Sequence, residues 1–171
     1  MTAADDKLTT FIRAVEAHID ANAEGWPEEL FLFVSRITPL INVDLLVQDD
    51  ERRTLLTWRS DRFHGPGWHV PGGIIRFREP AADRIQIVAQ RELGIAVAFD
   101  ASPILVHESI ETHRRDRGHF ISLLFRCRPA GELDPRRKYV PDAPQPGQWA
   151  WHARCPENLI PEQAAYAAFM R

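Results

Sequence analysis

The stretch from Gly72 to Gly94 constrains the fold more than any other part of the sequence. It opens with two adjacent glycines, Gly72 and Gly73. Glycine tolerates φ > 0 and lets the backbone approach a ligand closely, so the pair predicts a turn at the end of a short strand. Glu79 and Pro80 then predict a helix start with Pro80 in the first helical position, and Gly94 predicts the helix end. The sequence therefore predicts a glycine loop that leads into a helix.

The length and composition indicate one globular domain. A chain of 171 residues is long enough for a substantial core. Its formal net charge of -3 argues against nucleic acid as a partner, because nucleic-acid-binding domains are usually basic. Charges occupy the N-terminus where a signal peptide would need an apolar core, and no apolar run is long enough to span a bilayer. We therefore expect a cytoplasmic protein with neither a nucleic-acid nor a membrane partner.

Residues 1–34 predict a helical extension. Apolar side chains recur at helical spacing and predict an amphipathic helix over residues 7–21: Leu8, Phe11, Ile12, Val15 and Ile19. A second helix is expected to begin at Pro27, with acidic residues in its first turn. We expect the extension to pack on a domain formed by residues 35–171. A partner or dimer surface is the alternative.

The rest of the chain predicts short strands and one more helix. The apolar runs typical of strands lie at 40–47, 54–58, 68–70, 96–99, 104–106, 120–125 and 149–151, and a helix is predicted over 162–170. The run at 54–58 is expected to return antiparallel to the run at 40–47. Residues 129–148, with five prolines, predict a long surface loop. These elements predict an α/β domain with one mixed sheet and helices on its faces.

The segment from Gly73 to Ile95 resembles a Nudix box. That box is the phosphate- and metal-binding loop–helix–loop of hydrolases that act on nucleoside diphosphates linked to another moiety. Its pattern is matched by Gly73 and Glu79, with five residues between them, and by the ending Glu92-Leu93-Gly94-Ile95. The resemblance implies a Nudix-type α/β/α sandwich with a mixed β-sheet.

Several further segments are similar to GDP-mannose mannosyl hydrolases, a Nudix subgroup. They lie at 35–44, 55–59, 68–73, 91–94 and 119–121, within residues 35–151. That subgroup cleaves the sugar C–O bond of GDP-mannose and releases GDP and mannose, whereas most Nudix enzymes break a P–O–P bond. The resemblance implies a nucleotide-sugar substrate and a homodimer.

The same resemblance implies a metal site and a diphosphate site. The subgroup's metal ligands correspond to the carbonyl of Gly72, to Glu92 and to Gln145. All three supply oxygen, which suits Mg²⁺, with Mn²⁺ as the alternative. Arg59 corresponds to an arginine that neutralises the diphosphate leaving group, and Asp44 corresponds to an active-site aspartate with no assigned role. Glu92 and Arg59 are therefore the candidate catalytic residues.

Three positions depart from the subgroup. Its general base, a histidine, is Pro146 here; a phosphate-contacting arginine is Ile74; and a tyrosine is Phe120. Arg76, two residues beyond Ile74 on the same strand face, is the expected substitute for the arginine. Other side chains that could activate water are His107, Glu108, Glu111, His113, His119 and His152.

The central helix also departs from the family. Residues 88, 91 and 92 face the same way on a helix. The family carries glutamate at all three, whereas Val88 and Arg91 leave Glu92 as one carboxylate here. Reduced negative charge predicts weaker metal binding. Arg91 could hold a phosphate directly, or pair with Glu79 or Glu92.

Glu79 also lacks its usual partner. In the family this glutamate pairs with an arginine eight residues further on, and that position is Ile87 here. Arg84 and Arg91 are the candidates to replace it. Otherwise Glu79 is a favourable acid at a helix N-terminus.

These observations lead to three hypotheses. The first is a Mg²⁺-dependent hydrolase of a nucleotide sugar of GDP-mannose type. The second is a catalytically impaired module that binds a nucleotide sugar. The third is cleavage of an ADP-ribose-like diphosphate, which the missing acidic residues disfavour.

Overall fold

The computed structural model describes residues 3–19 and 27–170. Three α-helices, eight strands and two 3₁₀ helices occupy these ranges. The α-helices are α1 (Ala3–His18), α2 (Glu28–Ile37) and α3 (Ala81–Leu93). The strands are β1 (Leu40–Val47), β2 (Thr54–Arg59), β3 (Gly67–His69), β4 (Gly72–Ile74), β5 (Val97–Phe99), β6 (Leu105–Ile110), β7 (His119–Pro129) and β8 (Trp149–His152). The 3₁₀ helices are Pro135–Arg137 and Pro161–Phe169.

Most predicted elements are present, with shifts of one or a few residues. Pro27 and Pro80 precede their helices as N-caps and are not the first helical residues. The C-terminal helix is 3₁₀ and not α. The predicted end of the first helix, at residue 21, lies outside the described residues. No helix in the described ranges is both long and apolar enough to cross a membrane.

The strands form two sheets, so the prediction of one sheet was wrong. The first sheet has the order β4-β1-β7-β5, with β6 also paired to β7, and the second has the order β3-β2-β8. The parallel pairing of β1 with β7 makes the first sheet mixed, which confirms the predicted α/β class. The expected β1–β2 hairpin is reduced to one bridge between Gln48 and Thr54. Nearly all side chains of β1 and β2 are buried, because the two sheets pack against each other and bury apolar side chains between them.

The domain has two clusters of buried apolar side chains. The first lies between α3 and the first sheet and includes Val43, Leu45, Ile85 and Val88. The second joins the two sheets and the C-terminal 3₁₀ helix. Each fully buried side chain of this size contributes about 1.5–3 kcal/mol. The first cluster fixes α3 against β1 and β4.

The glycine pair is needed for space and not for an unusual backbone. Neither Gly72 nor Gly73 has positive φ, so the predicted turn conformation was wrong; both lie in β4, paired antiparallel with β1. A Cβ on Gly72 would lie 2.2 Å from Asp44 Oδ1, and one on Gly73 would lie 2.6 Å from Val88 Cγ2. The close approach that glycine allows is therefore the reason for both. Gly94, with φ of 75°, ends α3 as predicted.

The helices of the N-terminal extension differ in their surroundings. The apolar side chains along α1 are 41% to 67% exposed. In α2, which crosses the expected boundary at residue 34, the Phe31 ring lies 5.7 Å from the guanidinium of Arg117 in the domain. The packing of the whole extension and the boundary itself stay predictions.

Replacing Gly73 with alanine tests the contact that seats β4 on α3. We expect Gly73→Ala to lower the free energy of unfolding by about 1–3 kcal/mol, because its Cβ overlaps Val88 Cγ2. In a Val88→Ala background that methyl group is gone, so the same substitution should cost at least about 1 kcal/mol less. Urea unfolding of the four proteins measures the difference. Gly131→Ala, whose Cβ would meet Ile95, is the control and should cost the same in both backgrounds. A Gly73→Ala cost that Val88→Ala does not change would contradict the contact.

Candidate functional site

A cavity of about 990 Å³ is lined by the glycine strand, α3 and the ends of β1 and β2. Phe31 of α2, the segment around Arg114, and Glu162 and Tyr166 of the C-terminal 3₁₀ helix complete its wall. A space of this size accommodates a nucleotide with a second moiety attached.

The cavity wall is cationic although the whole chain carries a net negative charge. Eight arginines line it against five carboxylates. The arginines are Arg59, Arg76, Arg78, Arg84, Arg91, Arg114, Arg117 and Arg137, and the acids are Asp44, Asp61, Glu92, Glu111 and Glu162. Guanidinium groups bind phosphates with paired hydrogen bonds, so the wall suits an anionic phosphate ligand.

Asp44 is a buried carboxylate in the floor of this cavity. It is 4% exposed and lies on β1 opposite Gly72. Burial raises the pKa of Asp44 to about 6, although hydrogen bonds, the first from Tyr166, offset part of the effect. The Tyr166 hydroxyl donates to Asp44 Oδ2 at 2.5 Å. Tyr166 carries no sequence motif and was not predicted.

Glu92 lies beside Asp44 in the last turn of α3. Its side chain is 20% exposed, and burial raises the pKa of Glu92 to about 7. The charge of Arg91 and the backbone N–H of Gly72 lower that pKa in part, and the charge of Asp44 raises it. The structure thus brings together three residues that the sequence analysis selected: Asp44, Gly72 and Glu92.

Arg59 is held at the end of β2 by an acid. Its Nε donates to Asp61 Oδ2 at 2.6 Å. Although burial opposes the change, this bond and the N–H groups of Phe63 and His64 lower the pKa of Asp61 to about 2. The charge of Arg59 also acts on Asp44 and Glu92. Arg59 is therefore oriented within the cavity near both buried carboxylates.

Glu79 and Arg84 form a bidentate ion pair. Arg84 Nε and NH2 donate to the two carboxylate oxygens of Glu79, each at 2.8 Å, and both side chains are largely buried. Arg84, and not Arg91, therefore replaces the arginine missing at Ile87. Glu79 Oε2 also accepts the backbone N–H of Arg76 at 2.8 Å, which ties the turn after β4 to α3.

Arg91 points largely to solvent. Its side chain is 65% exposed and its NH2 lies 3.7 Å from Glu92 Oε1. The pairing with Glu92 that the sequence left open is therefore present. Because the guanidinium is accessible and lines the cavity, it can also meet a phosphate there.

Gln145 is not brought to the other predicted metal ligands. It is exposed and does not line the cavity, whereas the following residues, Pro146 and Gly147, do. Arg137 fixes this turn: its NH2 donates to the carbonyls of Gly147, at 3.0 Å, and Glu92, at 2.5 Å. Arg137 had no signal in the sequence. A role for Gln145 as a metal ligand stays a prediction.

The side chains present suit one hard cation and not a cluster. In the described ranges, no three or more His, Cys, Asp or Glu side chains are grouped to hold a metal. Val88 has a hydrocarbon side chain, which supplies no oxygen ligand, and it is fully buried against Gly73. Glu92 and the Gly72 carbonyl are the predicted oxygen donors that remain at the cavity. Mg²⁺ usually keeps waters and takes phosphate oxygens, so such a donor set fits a single ion.

The expected substitute bases lie mostly outside the cavity. Of the six candidates from the sequence, Glu111 alone lines it. His119 Nε2 lies 3.0 Å from Glu108 Oε1, and the side chain of His113 is exposed. His107 and His152 pack against Tyr166 and Trp68.

Two histidines that the sequence analysis did not select do line the cavity. His69 Nδ1 donates to the Val70 carbonyl, and its Nε2 lies 3.1 Å from the Thr57 hydroxyl. His64 Nε2 accepts from Arg114 at 3.0 Å. Burial, and then the charge of Arg59, lowers the pKa of each imidazole to about 4, so both are neutral at pH 7.

Known proteins share the sequence family and the fold of this chain. The family model of the NUDIX domain matches residues 38–154. A structure described as a MutT NUDIX hydrolase from Burkholderia pseudomallei is similar, with TM-score 0.60, 21% identity, and coverage of 78% of this chain and 99% of that one.

Two further solved structures share the fold. One, a possible asymmetric diadenosine tetraphosphate (Ap4A) hydrolase from Jonesia denitrificans, has TM-score 0.59, 20% identity and coverage of 79% of this chain and 98% of that one. The other, an ADP-ribose pyrophosphatase from Streptococcus suis, has TM-score 0.52, 17% identity and coverage of 78% and 90%.

The buried Asp44 predicts that stability falls as pH rises. Its pKa is about 6 in the folded chain and 3.8 without the fold, so the folded state binds more protons between these values and the free energy of unfolding decreases there. Between pH 5 and pH 7.5 this loss is on the order of 1 kcal/mol. An asparagine at position 44 cannot ionise. In urea unfolding, the free energy of unfolding of Asp44→Asn should therefore fall less than that of wild type over this pH range, by the amount that Asp44 contributes.

Glu132→Gln, at an exposed acid outside the cavity, is the matched control. It should keep the wild-type pH dependence. Because the charge of Asp44 also raises the pKa of Glu92, Asp44→Asn should reduce the loss that Glu92 contributes, which adds to the difference in the same direction. An Asp44→Asn protein with the same loss as wild type would show that Asp44 is not desolvated.

Proposed function

The chain belongs to the NUDIX domain family, and we propose that it hydrolyses a nucleoside diphosphate sugar of GDP-mannose type at the glycosyl C–O bond. One observation carries this proposal. The cavity wall combines eight arginines with two carboxylates, the buried Asp44 and the largely buried Glu92, while position 88 of the box carries the apolar Val88. Such a site suits a reaction in which a diphosphate departs from carbon. It suits less well a reaction in which several metal ions direct water to phosphorus.

The chemistry follows from where charge develops. The oxygen of water bonds to the anomeric carbon, the bond from that carbon to the phosphate oxygen breaks, and its electron pair stays on the diphosphate. The added negative charge falls among Arg59, Arg76 and Arg91, which line the cavity. Oriented cationic donors at the developing charge are an effective form of catalysis. The water's proton passes to one of the two buried carboxylates.

A divalent cation would assist at the same place. Glu92 and the Gly72 carbonyl would hold Mg²⁺ or Mn²⁺, and the ion, when bound, supplies further positive charge against the diphosphate. Because the box retains Glu92 as its one carboxylate among positions 88, 91 and 92, we expect metal binding to be weak. The arginines then carry a larger share of the charge neutralisation.

The names of two structural neighbours suggest an alternative to C–O cleavage. An Ap4A hydrolase and an ADP-ribose pyrophosphatase are named for nucleotides with bridging phosphates. P–O–P cleavage of such a substrate is therefore the alternative within the same substrate class.

A binding module without catalysis is the second candidate. Pro146 and Phe120 line the cavity where the resembling subgroup has a histidine and a tyrosine. Neither can transfer a proton.

The exposed apolar stripe of α1 additionally supports the expected homodimer, and a cytoplasmic location stays an expectation.

Product analysis in ¹⁸O-labelled water tests the proposal. We expect turnover of a nucleoside diphosphate sugar with Mg²⁺, with ¹⁸O in the released sugar and none in the nucleotide. Glu92→Gln should lower kcat by on the order of 100-fold, because it removes the charge while keeping the shape. Glu108→Gln, an exposed acid beside His119 outside the cavity, is the control and should leave kcat unchanged.

The other outcomes are distinct. Label in a phosphate product with ADP-ribose or Ap4A would establish P–O–P cleavage in place of C–O cleavage. Thermal stabilisation by nucleotide sugars without any product would establish the binding module. If several nucleoside diphosphate sugars, ADP-ribose and Ap4A gave neither turnover nor thermal stabilisation, the proposal would be overturned.

A further inference from the structure

The turn between β4 and α3 presents an aromatic ring to solvent at the cavity. Phe77 is 82% exposed, more than any other exposed large hydrophobic residue among those the structure describes. It nevertheless belongs to the cavity wall, next to Arg76 and Arg78. No buried cluster of the domain includes it. The fold therefore gains little from this ring, because exposure forgoes the hydrophobic stabilisation of burial.

The turn that carries Phe77 is held in one shape. The N–H of Glu79 donates to the Arg76 carbonyl at 3.1 Å, and the N–H of Arg76 donates back to the Glu79 carboxylate at 2.8 Å. The same carboxylate is fixed by the largely buried Arg84. Arg78 has φ of 61°, a left-handed conformation that a residue with a side chain adopts only where its surroundings impose it. The ring is thus presented by a fixed segment.

The surroundings of the ring combine apolar surface with positive charge. The Arg78 guanidinium lies 4.9 Å from the Phe77 ring centroid. Ile41, also exposed, lines the same cavity, and its carbonyl accepts the N–H of Ile75 just before the turn. A flat apolar ring joined to an anion matches this combination. A nucleoside diphosphate has that chemistry.

We propose that Phe77 is the platform on which the nucleobase of the ligand stacks. The base then lies at the turn, the diphosphate follows along Arg76 and Arg59, and, on the basis of the proposed function, the sugar reaches Asp44 and Glu92. Stacking on an aromatic ring uses the π-face that every base has. The platform therefore binds purine and pyrimidine nucleotides alike, with an advantage for the larger purine ring.

Calorimetric binding of GDP, ADP and UDP to the full chain tests this inference. Phe77→Ala should raise the Kd of the purine nucleotides about 10-fold or more, since it removes the stacked ring. Phe77→Trp keeps an aromatic face and should bind within about 2-fold of wild type. Inorganic pyrophosphate, which has no base, should bind wild type and Phe77→Ala equally. Val106→Ala, another exposed apolar side chain but outside the cavity, is the matched control and should change none of these values.

Three results would overturn the inference. Unchanged nucleotide affinity in Phe77→Ala would show that the ring does not meet the base. Equal weakening of pyrophosphate would show that Phe77 acts by shaping the turn. Failure of wild type to bind any nucleoside diphosphate would remove the ligand itself. Because the probes are reaction products, Phe77-dependent binding without turnover would support the platform while overturning the proposed hydrolysis.

Discussion

The ion pair between Glu79 and Arg84 is the interaction on which the arrangement of the site depends. Both charges are largely buried, and removing one partner of such a pair typically costs about 3–5 kcal/mol because the other is left without a counter-charge. Glu79 also accepts the N–H of Arg76. The pair therefore joins the turn after β4, which carries Arg76, to α3, which carries Glu92.

Two features of the cavity are unfavourable by themselves. Carboxylates are removed from water, and eight positive charges are concentrated in one wall. Asp44 is buried and Glu92 is largely buried, and their raised pKa values of about 6 and about 7 record the cost of ionising them there. The charge of Arg59 offsets part of that cost for both carboxylates, and the charge of Arg91 does so for Glu92. An anionic ligand would neutralise part of the positive charge of the arginines. Catalysis by such a site would depend more on fixed guanidinium groups than on a cluster of metal ions.

Local patterns in the sequence predicted what is locally determined. The helix ending at Gly94 followed from its terminal residues and the strand at 120–125 from its apolar run, whereas the front half of the box came from a family resemblance. The two-sheet arrangement was not predicted, because the parallel pairing of β1 with β7 joins distant parts of the chain. Tyr166, His64 and Arg137 were missed for the same reason: each reaches the cavity through tertiary packing. For Glu79 the sequence left two partners open, and geometry selected Arg84.

A crystal structure of the wild-type chain with Mg²⁺ and a nucleoside diphosphate would show whether the arginine wall and Glu92 together hold the diphosphate. We expect diphosphate oxygens hydrogen-bonded to Arg59 and Arg76, with any cation bound between the phosphates and Glu92. A diphosphate bound away from these arginines, or a cation held by residues remote from Glu92, would contradict this expectation.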